Sequence, residues 1–387
     1  MVSRGDSEKS DKRRRPNVLV YAVFLTVVFL FLGSVSLFIS LILDGIYETS
    51  SSVNWLIYTL PLISSYLSIT VMIVAHSYHG KPMFPFYMMA AITLGIVFYL
   101  FTASSIAAIP LALQIWGVLK GDGTVTFLSY MLPIAVFVPI IVGLVNSRFL
   151  RVRAKTFEVE GIPKAMRIFF FSDLHLGLLV GKKRLREVIS VCMESEPDII
   201  IIGGDLMDAH PSFLKEMLPL LSRFKDIAPT YAVTGNHEYF NDVDACVRAM
   251  EDGGIEVLRN RCARDHGTGY HICGIDDPSG SVQFGEEEPD LERILKTGRG
   301  KILISHQPRN FKQAASLGVD LMLSGHTHGG QMEPFGITTR LTYRDGDRGT
   351  RKKGDSYLYV TTGAGTWGPP VRFLTSSEVA VIDMVPK

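Results

Sequence analysis

Apolar residues run without a single charge through Val18–Leu43, Trp55–Ala75, Phe84–Leu119 and Phe127–Val145. Each run supplies the about 20 residues a helix needs to cross a hydrocarbon core. The pattern predicts a transmembrane domain of about four helices over residues 18–148. The first run is too long for the apolar part of a cleaved signal peptide, and further spans follow it. Pro110 interrupts the third run. Taken as one crossing, that run gives four spans, which is the expectation; split in two, it gives five and moves the C-terminal half outside. "KRRRP" (Lys12–Pro16) precedes the first span, so residues 1–17 read as a basic cytoplasmic N-terminus. The loop Asp44–Asn54 has acids and no Lys or Arg and suits the outside; the next loop carries Lys81 and suits the inside. Arg148, Arg151, Arg153 and Lys155 follow the fourth run, which places the C-terminal half in the cytoplasm.

Residues 149–165 are expected as a linker, and beyond them the period changes. Short runs rich in β-branched or aromatic residues each end in Gly, Ser or Asn and a polar cluster: "RIFFFSDLH", "DIIIIGGDLMD", "TYAVTGNHE", "YHICGIDD", "KILISHQP" and "LMLSGHTH", then "YLYVTTGAG" and "EVAVIDMV". Continuous apolar runs bounded by turn residues read as buried strands. Lys183–Glu194 has apolar Leu185, Val188, Ile189 and Cys192 at helical spacing, and Phe213–Phe224 and Val243–Asp252 look similar. Strand–helix alternation points to a layered α/β domain. The polar clusters fall at strand C-termini, the edge where α/β sheets collect ligands. That gathers Asp173, His175, Asp205, Asn236, His237, His306, His326 and His328 on one rim.

Composition narrows the function. Lys and Arg number 39 against 38 Asp and Glu, a net charge of +1. Nothing there suggests a nucleic-acid footprint, which needs clustered basic residues. The apolar runs hold no ionisable side chain, so the membrane half reads as an anchor or lipid-contacting platform rather than a conduit. Cys192, Cys246, Cys262 and Cys273 form no C-x-x-C pair, which argues against a thiolate zinc site. A disulfide framework is not expected in a domain of this size, and most of the four read as small buried hydrophobes.

Two Asp, one Asn and several His suit first-row divalent ions such as Mn, Fe, Co, Ni or Zn. These eight residues exceed the needs of one tetrahedral ion and suffice for two that share a bridging carboxylate. Two ions about 3.5–4 Å apart suit phosphoester hydrolysis. Gly203, Gly204, Gly235 and Gly325 can take positive φ and turn the backbone sharply at strand ends. His326 and His328 sit two apart; on extended backbone they share a face, where they could bind one ion or reach two.

The series "SDLHLG", "GGDLMD", "GNHEYF", "SHQP" and "GHTHGGQ" resembles the calcineurin-like metallophosphoesterase superfamily, most of all the branch that joins a membrane anchor to a phosphodiesterase domain. The resemblance covers residues 166–387 and implies a four-layered α/β/β/α sandwich beside the transmembrane bundle. It implies two divalent metal ions: Asp173, His175 and His328 on the first, Asn236, His306 and His326 on the second, and Asp205 bridging both. It implies that His237 contacts the substrate phosphate and donates a proton, making His237 and Asp205 the catalytic pair. The expectation is therefore a multi-pass membrane protein with a metal-dependent phosphoesterase domain acting on a lipid-linked or membrane-surface phosphoester. Alternatives are a hydrolase of soluble phosphodiesters tethered by its spans, and a non-catalytic receptor or transport-associated protein with a structural metal site. In "GTWGPPVRF" (Gly365–Phe373), Arg372 could pair with a phosphate oxygen or stay solvated. Arg344–Asp355 is charged and Gly-rich and reads as a mobile loop.

Overall fold

The computed structural model describes residues 18–47, 51–78, 81–162, 164–208, 213, 216–295 and 300–387; the basic segment Lys12–Pro16 lies outside them. The four uncharged runs form α1 (Val18–Tyr47), α2 (Ser51–Tyr78), α3 (Phe84–Ile115) and α4 (Gly123–Asn146). All four are long and apolar enough to cross a membrane. Pro110 lies inside α3, which remains one 32-residue helix, so the described spans number four and not five. A membrane helix tolerates the lost backbone bond of an internal Pro, since the freed groups find other partners.

The chain divides into two units. The first comprises residues up to Ile69 and Val97–Ala135. Within it the Ser36 and Ser40 hydroxyls donate to the carbonyls of Pro61 and Ile57 at 3.2 and 2.9 Å. Such polar contacts join helices where lipid removes the hydrophobic drive between them.

The second unit comprises Thr70–Ile96 and Val136–Lys387 and contains two six-stranded sheets. The first has the order β1 (Leu150–Val159), β12 (Ser377–Pro386), β2 (Met166–Phe171), β3 (Ile199–Ile202), β4 (Thr230–Ala232), β5 (Glu256–Val257). The second has the order β10 (Gly349–Lys353), β11 (Ser356–Val360), β9 (Leu321–Ser324), β8 (Lys301–Ser305), β7 (His271–Ile275), β6 (Arg261–Arg264). Alternate side chains of a strand point to opposite faces, and both faces are covered here. Ile168, Phe170, Ile199 and Ile201 meet Ile302, Ile304, Leu321 and Leu323 between the sheets. Phe169, Phe171, Ile200 and Ile202 point outward, against Leu185, Val188, Ile189 and Cys192 of α5 (Lys182–Ser195). The helices α6 (Leu218–Leu221), α7 (Arg223–Ile227), α8 (Asn236–Phe240) and α9 (Val243–Asp252) follow in the chain; then come α10 (Ser279–Phe284), α11 (Leu291–Ile294), α12 (Phe311–Ser316) and α13 (Gly336–Thr342). Leu291 of α11 and Phe311 of α12 pack with Leu303, Met322 and Leu358 on the far face of the second sheet. The layers are helix, sheet, sheet, helix, as expected.

Four local readings change. The expected linker contains β1, which pairs in parallel with β12; most of its side chains are exposed, which is why a charged edge strand reads as a linker. The Phe213–Phe224 stretch, expected as a helix, yields α6 and the start of α7, with residues 214–215 outside the described set. Arg344–Asp355 contains the edge strand β10, antiparallel to β11, rather than a mobile loop. Cys262 and Cys273 face each other in the β6–β7 register and form a disulfide, while Cys192 and Cys246 are free and buried.

Candidate metal centre

Each site residue follows the C-terminal end of a buried strand. Asp173 and His175 follow β2, Asp205 follows β3, Asn236 and His237 open α8 after β4, His306 follows β8, and His326 and His328 follow β9. The expected sharp turns occur, but the side-chain-bearing residues make most of them. Asp173, His175, Asp205, His326 and His328 have φ of 54°, 52°, 49°, 69° and 49°. Non-glycine residues rarely occupy this left-handed region, and where they cluster the surrounding structure holds them there. Only Gly204 of the four expected glycines has positive φ, at 89°. Gly235 and Gly325 serve close approach instead: a Cβ at either would strike the Asp205 or Asp173 carboxylate. His326 and His328 therefore do not share a face of extended backbone, and they reach different groups.

Asp173, His175 and His328 form one group. The Nε2 atoms of His175 and His328 are 3.1 Å apart, and His328 Nε2 is 3.4 Å from Asp173 Oδ1. Asp205, Asn236, His306 and His326 form the other. Asn236 Oδ1 lies 2.9 Å from His326 Nδ1 and 3.3 Å from His306 Nε2. Asp205 Oδ2 faces both groups, 3.2 Å from His306 Nε2 and 3.9 Å from His175 Nε2. Both carboxylates, together with His175, His306 and His328, are at most 2% exposed.

This donor set fits divalent cations. Paired ring nitrogens at 3.1 and 3.3 Å can share at most one proton, so their lone pairs converge on the space a cation would fill. His306 Nδ1 donates to the Gly203 carbonyl at 2.8 Å, which turns Nε2 inward toward the Asp205 and Asn236 oxygens, the arrangement that orients a metal-binding imidazole. His175 Nδ1 is buried without a hydrogen-bond partner. Burial lowers the His175 pKa to about 3, favouring the neutral imidazole that binds metal. Burial alone would raise the Asp205 carboxyl, but His306, His237 and His175 hold it well below the usual carboxylate range.

The model of the calcineurin-like phosphoesterase family matches residues 166–330. A metallophosphoesterase of Aquifex aeolicus is 31% identical over 255 residues, 64% of this chain and 97% of that one. The chain belongs to the calcineurin-like metallophosphoesterases. A metallophosphoesterase of Helicobacter pylori is 32% identical over 243 residues, 61% of this chain and 64% of the relative, so the match spans just under two thirds of that protein's length. A Danio rerio transmembrane protein with a metallophosphoesterase domain is 36% identical over 239 residues, 58% of this chain and 55% of the relative. With four apolar spans of its own, this metallophosphoesterase is a membrane protein.

Asp208 and Glu238, which sequence reasoning did not assign, support the site, as does Arg372, read from the sequence as a phosphate contact or a solvated side chain. Asp208, three positions after Asp205 in "GGDLMD", accepts from His237 Nδ1 at 2.8 Å. Burial lowers the His237 pKa, but Asp205 and Asp208 outweigh it and raise it to about 9. Glu238 is buried, and its carboxylate accepts the backbone N–H groups of Asp205, Met207 and Gly235 at 3.0, 3.1 and 2.7 Å. It thereby joins the β3 and β4 turns. Glu238→Ala orphans three buried donors and is expected to cost about 3 kcal/mol or more, seen as a lower unfolding midpoint of the solubilised protein; Glu238→Gln, which keeps one acceptor oxygen, is expected to cost less. Arg372 is neither solvated nor open to phosphate: it is fully buried and donates to the carbonyls of Gly365 and Ser376 at 3.2 and 3.0 Å, with Nη2 3.0 Å from His328 Nδ1.

The histidine cluster floors a cavity of about 420 Å³ whose outer wall includes Phe335, Thr338, Thr342, Tyr343 and Trp367.

Proposed function

We propose that this metallophosphoesterase hydrolyses a phosphoester at the membrane surface with two divalent ions. Asp173, His175 and His328 would hold one, Asn236, His306 and His326 the other, and Asp205 would bridge them. When bound, such a pair supplies a water of lowered pKa and neutralises charge on the phosphoryl oxygens. The chain's own residues supply position and the proton. Asp208 fixes the His237 ring and favours its protonated form, so that Nε2, 4.0 Å from Asp205 Oδ2, is a donor beside the cluster and can protonate the leaving oxygen. The Asp205 carboxylate between the two groups carries the reading.

The test is metal analysis of the purified full chain, followed by a screen of phosphodiesters, monoesters and pyrophosphates with Mn, Fe, Co, Ni and Zn. Chelation is expected to abolish turnover and one or more of these ions to restore it. Turnover that survives complete metal removal would refute the reading. The substrate proposed is a phospholipid or lipid-linked ester. A tethered hydrolase of soluble phosphodiesters is the rival, marked by full activity on soluble esters and none on lipid.

Arg148, Arg151, Arg153 and Lys155 after α4 support a cytoplasmic catalytic domain. One observation favours the opposite side: the Cys262–Cys273 disulfide is of a kind that persists in oxidising compartments.

A further inference from the structure

The outer wall of the pocket has a second face. In α13, Thr338 and Thr342 line the cavity, while Ile337 and Leu341 are 53% and 68% exposed. Those two are four apart, so they share one side of the helix. Arg340 of the same helix is exposed while pairing with Glu333 at 3.1 Å, and Arg344 is exposed just past the helix end. Phe335, Trp367 and Leu374 are 42%, 39% and 69% exposed, and the first two line the same cavity. Large apolar side chains gathered at the mouth of a polar site mark an interaction surface.

The second unit itself indicates what covers them. The segment leading into α13 is stitched to the closing segment, Gly365–Phe373: Phe373 N donates to Gln331 O at 3.1 Å, and Gln331 Nε2 donates to the carbonyls of Trp367 and Pro369, each at 2.9 Å. The closing segment is bound in turn to the last turn of a membrane span. Arg372 N donates to Gly143 O of α4 at 2.9 Å, and Asn146 Nδ2 donates to Arg372 O at 3.3 Å. A Cβ at Gly143 would strike Val371, and one at Gly95 of α3 would lie 3.4 Å from Pro369. The rim of the pocket is thus fastened where α4 leaves the bilayer. An apolar side flanked by arginines is the composition of a helix that lies in a lipid interface.

We propose that Ile337, Leu341, Phe335, Trp367 and Leu374 rest in the lipid–water interface and that the metal pocket takes a glycerophospholipid directly from the bilayer. The acyl chains would stay over Ile337 and Leu341, Arg340 and Arg344 would meet neighbouring lipid phosphates, and the phosphodiester would pass between Thr338, Thr342 and Trp367. The substrate claim rests on the hydrolytic reading above. In the reaction, water oxygen bonds to phosphorus and releases a proton to solvent, one ester P–O bond breaks, and the leaving oxygen takes a proton from His237, which solvent restores, giving an alcohol and a phosphomonoester.

The test uses the full chain reconstituted into phosphatidylcholine–phosphatidylglycerol vesicles. Leu341→Cys carrying an environment-sensitive fluorophore is expected to be quenched by acyl-chain-brominated lipid, and a probe at Glu251→Cys is not. Ile337→Ser with Leu341→Ser, neither of which lines the cavity, is expected to lower vesicle phospholipid turnover by about tenfold or more and to leave turnover of a soluble nitrophenyl phosphodiester unchanged. An unquenched probe at position 341 overturns the inference whatever the turnover. Quenching with undiminished phospholipid turnover in the double variant overturns the substrate claim. Failure of the unaltered, metal-loaded chain to cleave the soluble ester strikes the hydrolytic reading instead, and the quenching result is independent of it.

Discussion

Asp205→Asn is expected to lower phosphoester turnover by about a thousandfold or more, the scale on which removing one charge-stabilising group from an active site acts, and to lower the bound metal content with it. The substitution keeps the shape of the side chain and an oxygen able to accept the backbone N–H of His237, which Asp205 Oδ1 accepts at 2.9 Å. It removes the negative charge between the two groups. His306, His237 and His175 hold the Asp205 carboxyl well below its ordinary range, so the native side chain is ionised at neutral pH and the amide cannot replace it. Turnover and metal-to-protein ratio should be measured on the same preparation, with the unfolding midpoint as a control for folding. Unchanged turnover would remove the enzyme reading. Lost metal in a protein that hydrolyses no ester even when unaltered would favour a structural site in a receptor or transport-associated protein.

The strands that carry the site were legible because they are buried on both faces: Ile199–Ile202 leaves no alternation to misread, and each such run ends where a polar cluster begins. The layered fold followed from those runs and from the helical spacing of Leu185, Val188, Ile189 and Cys192. Features fixed by distant partners were not legible. The edge strand β1 exists by pairing with β12, as in Leu150 against Ser377, and its own charges mimic a linker. The disulfide depends on Cys262 and Cys273 falling opposite each other, which spacing among four cysteines does not fix. Glycine was credited with turns that the Asp and His residues themselves make, because local propensity favours glycine at positive φ while tertiary packing decides which residue is held there. Asp208 lay in a motif already in view. Glu238 gave no signal apart from its tertiary partners, since a Glu after a His is ordinary on a surface; Arg372 was in view, but its burial against Gly365, Ser376 and His328 depends on partners that only the fold brings together.

His237→Ala is expected to reduce turnover by about 10²–10⁴-fold, the range for a general acid, but only where the leaving group needs a proton. The imidazole is protonated at neutral pH because Asp205 and the Asp208 hydrogen bond overcome the burial that would lower its pKa, raising it to about 9. The donor form is therefore present below that value and lost as pH rises through it, so a falling basic limb of kcat/KM belongs to His237. Cations bound nearby repel the imidazolium and place that limb at or below about 9. Asp208→Asn removes one of the charges that raise the pKa, so it should move the limb to lower pH while leaving the metal content intact. The alanine variant should lose its activity on an alkyl ester, whose alkoxide leaves poorly, and retain most of it on a nitrophenyl ester, whose phenolate leaves unprotonated. Equal losses on both esters would mean that His237 acts on substrate binding or on folding rather than on proton transfer. The pH profile separates those cases, since a residue that only positions substrate contributes no limb that moves with Asp208.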